Sequence, residues 1–301
     1  MREATLEQAQ ALTYAVVIPC YNAHKYLGAT LESVFSQTLS PSEVLVVDDG
    51  STDPVTLQYI ENLKRDARIT VISKPNGGLS SARNAGIEQA KSDVILPLDA
   101  DDLIAHDYAE RALRVMSQGG EKIVYGRAEL FGSVERSWDL PEFSASRLLF
   151  NNMIYASAFF PRSAWVAVGG YNDALRHGRE DHDFWIRTVL GLGLAVHRLD
   201  QVVFFYRQHE ISMNRSLGES RTRLVDTYAE IFSSNSEIYA RHAREVVGHH
   251  LRMVDRINDN KHRYGKLERA LEGDGFVGRT YQVLRKLKQL ALWRGDNNVL
   301  G

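Results

Sequence analysis

A chain of 301 residues, 44% hydrophobic and 25% charged, has the make-up of an ordinary globular protein, with apolar surface enough for one large domain or two modest ones. A formal net charge of −2 argues against nucleic acid as the main partner, and a single cysteine, Cys20, excludes an internal disulfide framework and suits a reducing compartment. No apolar run reaches the length of a membrane span, and residues 1–11 lack the basic-then-apolar pattern of a secretion signal, so neither is expected.

Residues 14–19, 43–47, 69–73, 94–98 and 122–125 form short apolar, mostly β-branched runs and read as strands. Between them, 26–37, 55–66, 80–91 and 107–117 carry helical spacing, with Ser80 as the expected N-cap of the third helix. This alternation predicts parallel strands joined by right-handed crossovers, a Rossmann-like layered α/β sheet. From 138 to 206 the pattern is mixed. Beyond Arg215 it turns helical and polar, with helices expected at 219–245 and 250–258, a break at 273–278 and a last helix at about 276–293. In that last segment Val277, Tyr281, Leu284, Leu287 and Ala291 recur at helical spacing among Arg279, Arg285, Lys286, Lys288 and Arg294. Such a stripe packs on its own protein or on a second copy, or else lies in the interface of an anionic membrane.

The segment Leu98-Asp99-Ala100-Asp101-Asp102 follows directly on the fourth strand. In an open α/β sheet the C-terminal lip of the strands is where ligands bind. Two acids two residues apart on extended backbone point the same way and can share a divalent cation, which would neutralise a departing diphosphate. The alternative is an acidic turn capping the next helix.

The first strand runs into Pro19-Cys20-Tyr21-Asn22 and the second into Asp48-Asp49-Gly50-Ser51-Thr52-Asp53. A carboxylate there can accept from a base imide and a tyrosine ring can stack on the base, while the plainer alternative is a capped turn. Asn76-Gly77-Gly78 opens the helix carrying Arg83, and a glycine pair at a helix start lets the backbone approach an anion. In the second half, Asp181 within Glu180-Asp181-His182-Asp183-Phe184-Trp185 is either a helix cap or a general base. His209, after an apolar strand, is either a surface residue or a metal or pyrophosphate contact.

In this order the segments Val-Ile-Pro-x-Tyr-Asn, Val-Asp-Asp-Gly-Ser-Thr-Asp, Asn-Gly-Gly-Leu-Ser-x-Ala-Arg-Asn-x-Gly-Ile, Leu-Asp-Ala-Asp-Asp, Gly-Gly-Tyr, Glu-Asp-x-Asp-x-Trp and Tyr-Arg-x-His-x-x-Ser resemble glycosyltransferase family 2, inverting enzymes of the GT-A fold. The resemblance runs from about Tyr14 to Ser212. It implies a catalytic domain at 1–215, with a nucleotide half at about 14–127 and an acceptor half at about 128–215, followed by a helical extension at 216–301. It implies that Pro19, Tyr21 and Asp49 line the base pocket and that Arg83 approaches the nucleotide. Asp99 would meet the ribose or the metal's water shell. Asp101 would ligate Mn²⁺ or Mg²⁺, with His209 completing the shell or touching the pyrophosphate. Asp181 would be the catalytic base, and Gly169, Gly170 and Glu180 would shape the acceptor side. His182 stands where the family more often has an aromatic residue.

The implied reaction moves a sugar from a nucleotide-diphospho-sugar, UDP-linked by expectation, to a hydroxyl of a saccharide, lipid-linked or protein acceptor. Surface polysaccharide or glycolipid synthesis is the expected setting, in the cytoplasm or peripherally on the inner face of the membrane. Homo-oligomerisation through the C-terminal helices is a further expectation. Two alternatives stand beside this: a nucleotidyltransferase, which ordinarily has a glycine-rich basic loop after the first strand where this chain has Ile18-Pro19-Cys20-Tyr21-Asn22, and a non-catalytic sugar-nucleotide-binding scaffold.

Overall fold

All seven residues of β1 (Tyr14–Cys20) are buried, as suits a strand covered on both faces at the middle of a parallel sheet. The computed structural model describes residues 12–176, 178–209 and 220–272, with 262–272 as backbone alone. β1 pairs in parallel with β2 (Glu43–Asp48) and β4 (Val94–Pro97), and β2 with β3 (Ile69–Ser73). The order is β3-β2-β1-β4-β8, in which the short β8 (Phe160–Pro161) closes the edge antiparallel to β4. Helices α1 (His24–Phe35), α2 (Pro54–Leu63) and α3 (Leu79–Gln89) make the crossovers. The expected mostly parallel, helix-flanked sheet is therefore present.

The expected fifth strand lies elsewhere. Residues 122–125 begin the long β6 (Lys122–Gly132), which joins a second sheet of order β5-β9-β6-β7. There β6 runs parallel to β9 (Ala195–Gln208), with β5 (Leu103–Ile104) and β7 (Arg136–Trp138) antiparallel at the edges. Apolar content gave the strand but not its partner, because pairing depends on contacts remote in sequence. The acidic segment 98–102 thus connects β4 of one sheet to β5 of the other. Helix α4 (Tyr108–Met116) follows, and its Tyr108 hydroxyl donates to the Ser157 carbonyl at 3.0 Å.

Ser80 does not cap α3. Gly78 does, at φ +88°, and Ser80 is buried inside the helix. Further along α3, a Cβ on Gly86 would stand 2.4 Å from Val17 Cγ1, so glycine is what lets this helix lie close on β1.

In the second half, α5 (Ala145–Leu148), α6 (Arg162–Val168) and α7 (Glu180–Trp185) are short, and α7 passes into a π-helical turn, Ile186–Gly191. Trp185 is fully buried, and its Nε1 donates to the Ile154 carbonyl at 3.0 Å. The helix expected at 219–245 is three: α8 (Arg221–Ser234), α9 (Ser236–Arg241) and the start of α10 (Ala243–Glu272). The break falls at Asn235, whose buried Nδ2 donates to Asp183 Oδ1 at 2.6 Å. A tertiary hydrogen bond to a buried carboxylate therefore sits where the helix stops. The expected 250–258 helix is interior to α10. The described residues fall into two units, divided after Arg241. The basic helix expected at 276–293 lies outside the described residues. No helix among the described residues is long and apolar enough to cross a membrane.

Candidate active site

At the tips of β1 and β2, side chains hold backbone. Asn22, at φ +52°, accepts on Oδ1 from the amides of Thr52 and Asp53, each at 2.9 Å. Its own amide donates to Ser51 Oγ at 3.0 Å. Pro19 sits on the same strand, and Tyr21, 50% exposed, projects from its end. Asp49 is buried and fully engaged: Oδ1 accepts from Lys74 Nζ at 2.7 Å and Gly77 N at 2.9 Å, and Oδ2 from Gly78 N at 2.8 Å. The amides at the start of α3 thus already receive an anion, the protein's own carboxylate. Lys74 escaped the sequence reading; its place just before Pro75-Asn76-Gly77 was the available signal.

The acids of 99–102 are not on extended backbone. The Asp102 amide bonds the Asp99 carbonyl at 3.1 Å, so the segment is a turn, and its carboxylates take different partners. Asp99 Oδ1 accepts from Arg83 Nη2 at 2.6 Å. Asp101 Oδ2 accepts from His209 Nε2 at 2.7 Å, across 108 residues of sequence. Asp102 is buried and accepts from the Arg207 amide at 2.8 Å, while Arg207 Nε donates to the Asp101 carbonyl at 2.7 Å. Asp102 and Arg207, neither singled out from sequence, therefore fix the strand end that presents His209. The Arg207 guanidinium also lies between the Tyr26 and Phe131 rings, 4.5 and 4.3 Å from their centroids.

Asp101 and His209 bring together a carboxylate oxygen and an imidazole nitrogen, donor types a divalent ion accepts. Their 2.7 Å contact is a hydrogen bond, so His209 would give up its Nε2 proton to hold a cation. Burial, and then the Asp99 charge, push the Asp101 carboxyl up, so a cation would relieve this site. No group of three or more metal-ligating side chains occurs among the described residues. Water or ligand oxygens would have to complete the shell, as they commonly do for Mg²⁺.

Arg83 links this lip to the second half of the chain. It is 1% exposed; Nη2 meets Asp99, and Nη1 pairs with Glu180. Burial disfavours its charge, but Asp99 and Glu180 outweigh burial and raise its pKa. Glu180 is itself buried, and burial raises its carboxyl while Arg83 opposes the shift. Asp181, beside it, is half-buried and is not the N-cap of α7, since Arg179 holds that place at φ +71°. Asp181 Oδ1 accepts from the His182 amide at 2.8 Å and Oδ2 from Asn152 Nδ2 at 2.7 Å. Burial raises its carboxyl too, against the opposing charges of Arg83 and Arg179.

Gly169 and Gly170, at φ +73° and +83°, turn the chain behind Arg83. A Cβ on Gly170 would meet Asn84 Oδ1 at 2.8 Å, the atom that accepts from the Tyr171 amide at 2.8 Å and from Trp165 Nε1 at 3.0 Å. His182, the odd residue of its motif, is buried with Nε2 on the Leu148 carbonyl at 2.6 Å. Asn152 carried no local signal at all.

The profile described as "Glycosyl transferase family 2" matches residues 15–172. A chondroitin synthase of Pasteurella multocida strain Pm70 is 30% identical over 216 residues, which cover 70% of this chain and 21% of that protein. A hyaluronan synthase of Pasteurella multocida gives the same identity and coverage. This chain thus spans about a fifth of the length of these relatives. Among solved structures, S. aureus TarS 1-349 in complex with UDP-GlcNAc superposes with a TM-score of 0.58 at 22% identity, over 68% of this chain and 61% of that one, a likeness of fold.

Proposed function

This chain belongs to glycosyl transferase family 2, and on that premise we propose that it transfers a sugar from a UDP-linked donor to an acceptor hydroxyl with inversion. The observation that carries the proposal is Arg83. It ties Asp99, on the nucleotide-side lip, to Glu180, the neighbour of Asp181, and so brings a carboxylate of raised pKa beside the donor side. In this reading Tyr21 stacks on the base, Pro19 and Asp49 shape its pocket, and Asp99 meets the ribose.

Asp181 takes the acceptor proton as the freed electron pair attacks the anomeric carbon, and the bond from that carbon to the diphosphate breaks with its pair leaving on the diphosphate. Asp101 and His209 would hold Mn²⁺ or Mg²⁺, which supplies charge neutralisation for the leaving diphosphate. Gly169, Gly170 and Glu180 fix the backbone on the acceptor side. The Pasteurella synthases support a saccharide acceptor and polysaccharide synthesis, and the TarS complex supports a UDP-linked donor. The lone Cys20 supports a cytoplasmic setting.

The test is thermal shift of the full chain against UDP-, GDP-, dTDP- and CMP-sugars with and without Mn²⁺, followed by UDP release. Metal-enhanced stabilisation by UDP-sugars alone is expected. Equal or no stabilisation across the panel would overturn the donor assignment.

A further inference from the structure

We infer that Asn152 is the positioning residue of Asp181, its side-chain amide fixing the direction in which the carboxylate faces the acceptor. The inference rests on Asp181 being the base proposed above. Asn152 belongs to the connection between α5 and β8, a stretch without helix or strand. Such a stretch would ordinarily be a poor platform for an oriented side chain.

Here it is pinned on both sides. The Leu148 carbonyl accepts from His182 Nε2 at 2.6 Å and the Leu149 carbonyl from the Tyr239 hydroxyl at 2.8 Å. Beyond Asn152, the Ile154 carbonyl accepts from Trp185 Nε1 at 3.0 Å. Two of these three donors lie on α7, the helix that carries Asp181, so base and orienting amide are referred to one element. His182 therefore anchors the Leu148 end of the connection to α7.

With the His182 amide on Oδ1 and Asn152 on Oδ2, the carboxylate cannot rotate without losing a hydrogen bond, and lone pairs remain on each oxygen for a hydroxyl. A donor on Oδ2 favours the ionised form. The other charged or titratable groups facing Asp181 are Arg83 from α3, Arg179 and Glu180 at the head of α7, and Tyr171 after α6. Removing the Asn152 donor leaves all of these in place. The Asp181 midpoint should then rise, since burial is less opposed.

The experiment titrates the 301-residue chain with ¹³C-carboxyl-labelled aspartate by NMR, the Asp181 resonance being identified by its loss in Asp181→Asn. Asn152→Ala should raise the Asp181 midpoint by about one pH unit, a tenfold change in proton affinity. Asn152→Asp, nearly isosteric, should raise it further through like charge, and it serves if the alanine variant does not fold. The acid limb of UDP release from UDP-N-acetylglucosamine should move the same way, a response that loss of packing alone would not give. An unmoved Asp181 midpoint in the folded variants overturns the positioning role. Full UDP release by Asp181→Asn instead overturns the base assignment and with it this role, and that failure is distinguishable because the midpoint shift is read without turnover.

Discussion

The two halves of the candidate site are built by different means. At the strand tips, the proposed nucleotide side, short polar side chains bond mostly to backbone amides, Asn22 to Thr52 and Asp53 and Asp49 to Gly77 and Gly78, with Lys74 as the one charged partner of Asp49. Toward the proposed acceptor side, buried and half-buried charges bond to one another and to a remote amide: Arg83 joins Glu180 to Asp99 of the other side, and Asn152 bonds Asp181. Turn geometry at the end of a strand is a local property, and side-chain-to-backbone bonds tolerate modest movement. A buried charge network is unforgiving, because removing one member leaves another desolvated and unpaired. The charge network around Arg83 should therefore fail abruptly on mutation, and the strand tips by degrees.

The sharpest break in that contrast is Asp181→Asn. It preserves shape and removes proton-accepting power, so kcat should fall by roughly 10²–10⁴ while UDP affinity, measured by calorimetry, holds. Loss of UDP binding with kcat intact would make Asp181 a structural residue.

Arg83→Ala comes next. It leaves Glu180 buried without its cation, and guanidinium unfolding should show a loss of about 3–5 kcal/mol. A loss below about 1 kcal/mol would mean that the two halves are not energetically joined through this side chain.

His182 gives the pH dependence. Burial lowers its pKa from 6.5 to about 4, so the unfolded chain binds the proton more readily than the folded one. Its contribution is complete above pH 6.5 and is lost as pH falls toward 4. The full loss corresponds to about 3 kcal/mol. The fall in wild-type stability between about pH 7 and about pH 4.5 should shrink in His182→Gln; an identical slope would refute the assignment.

Asp49→Asn should be mildest. It keeps the shape but removes the charged acceptor of the partly exposed Lys74 and turns an amide donor toward the Gly77 or Gly78 N–H, for about 1–3 kcal/mol. UDP should bind more weakly while the pH profile of turnover stays put, in contrast to Asn152→Ala.

The sequence by itself determined the parallel sheet, because β1, β2 and β4 are continuous apolar runs ending in turn residues, and a one-dimensional pattern suffices for a strand buried on both faces. It also determined which segments meet at the strand lip, since in a parallel α/β sheet chain direction alone places every β-to-α turn on one edge. Only the tertiary structure decided what each carboxylate does there. Asp99, Asp101 and Asp102 are adjacent and alike in sequence, yet they answer to Arg83, His209 and the Arg207 amide. From sequence Asp181 looked like a cap or a base; in the structure Arg179 holds the cap position and Asn152 bonds Oδ2, which leaves the base as the reading proposed above. These assignments depend on partners up to 108 residues away, which no local spacing encodes. What separates neighbouring acids is the desolvation and pairing that packing imposes on each.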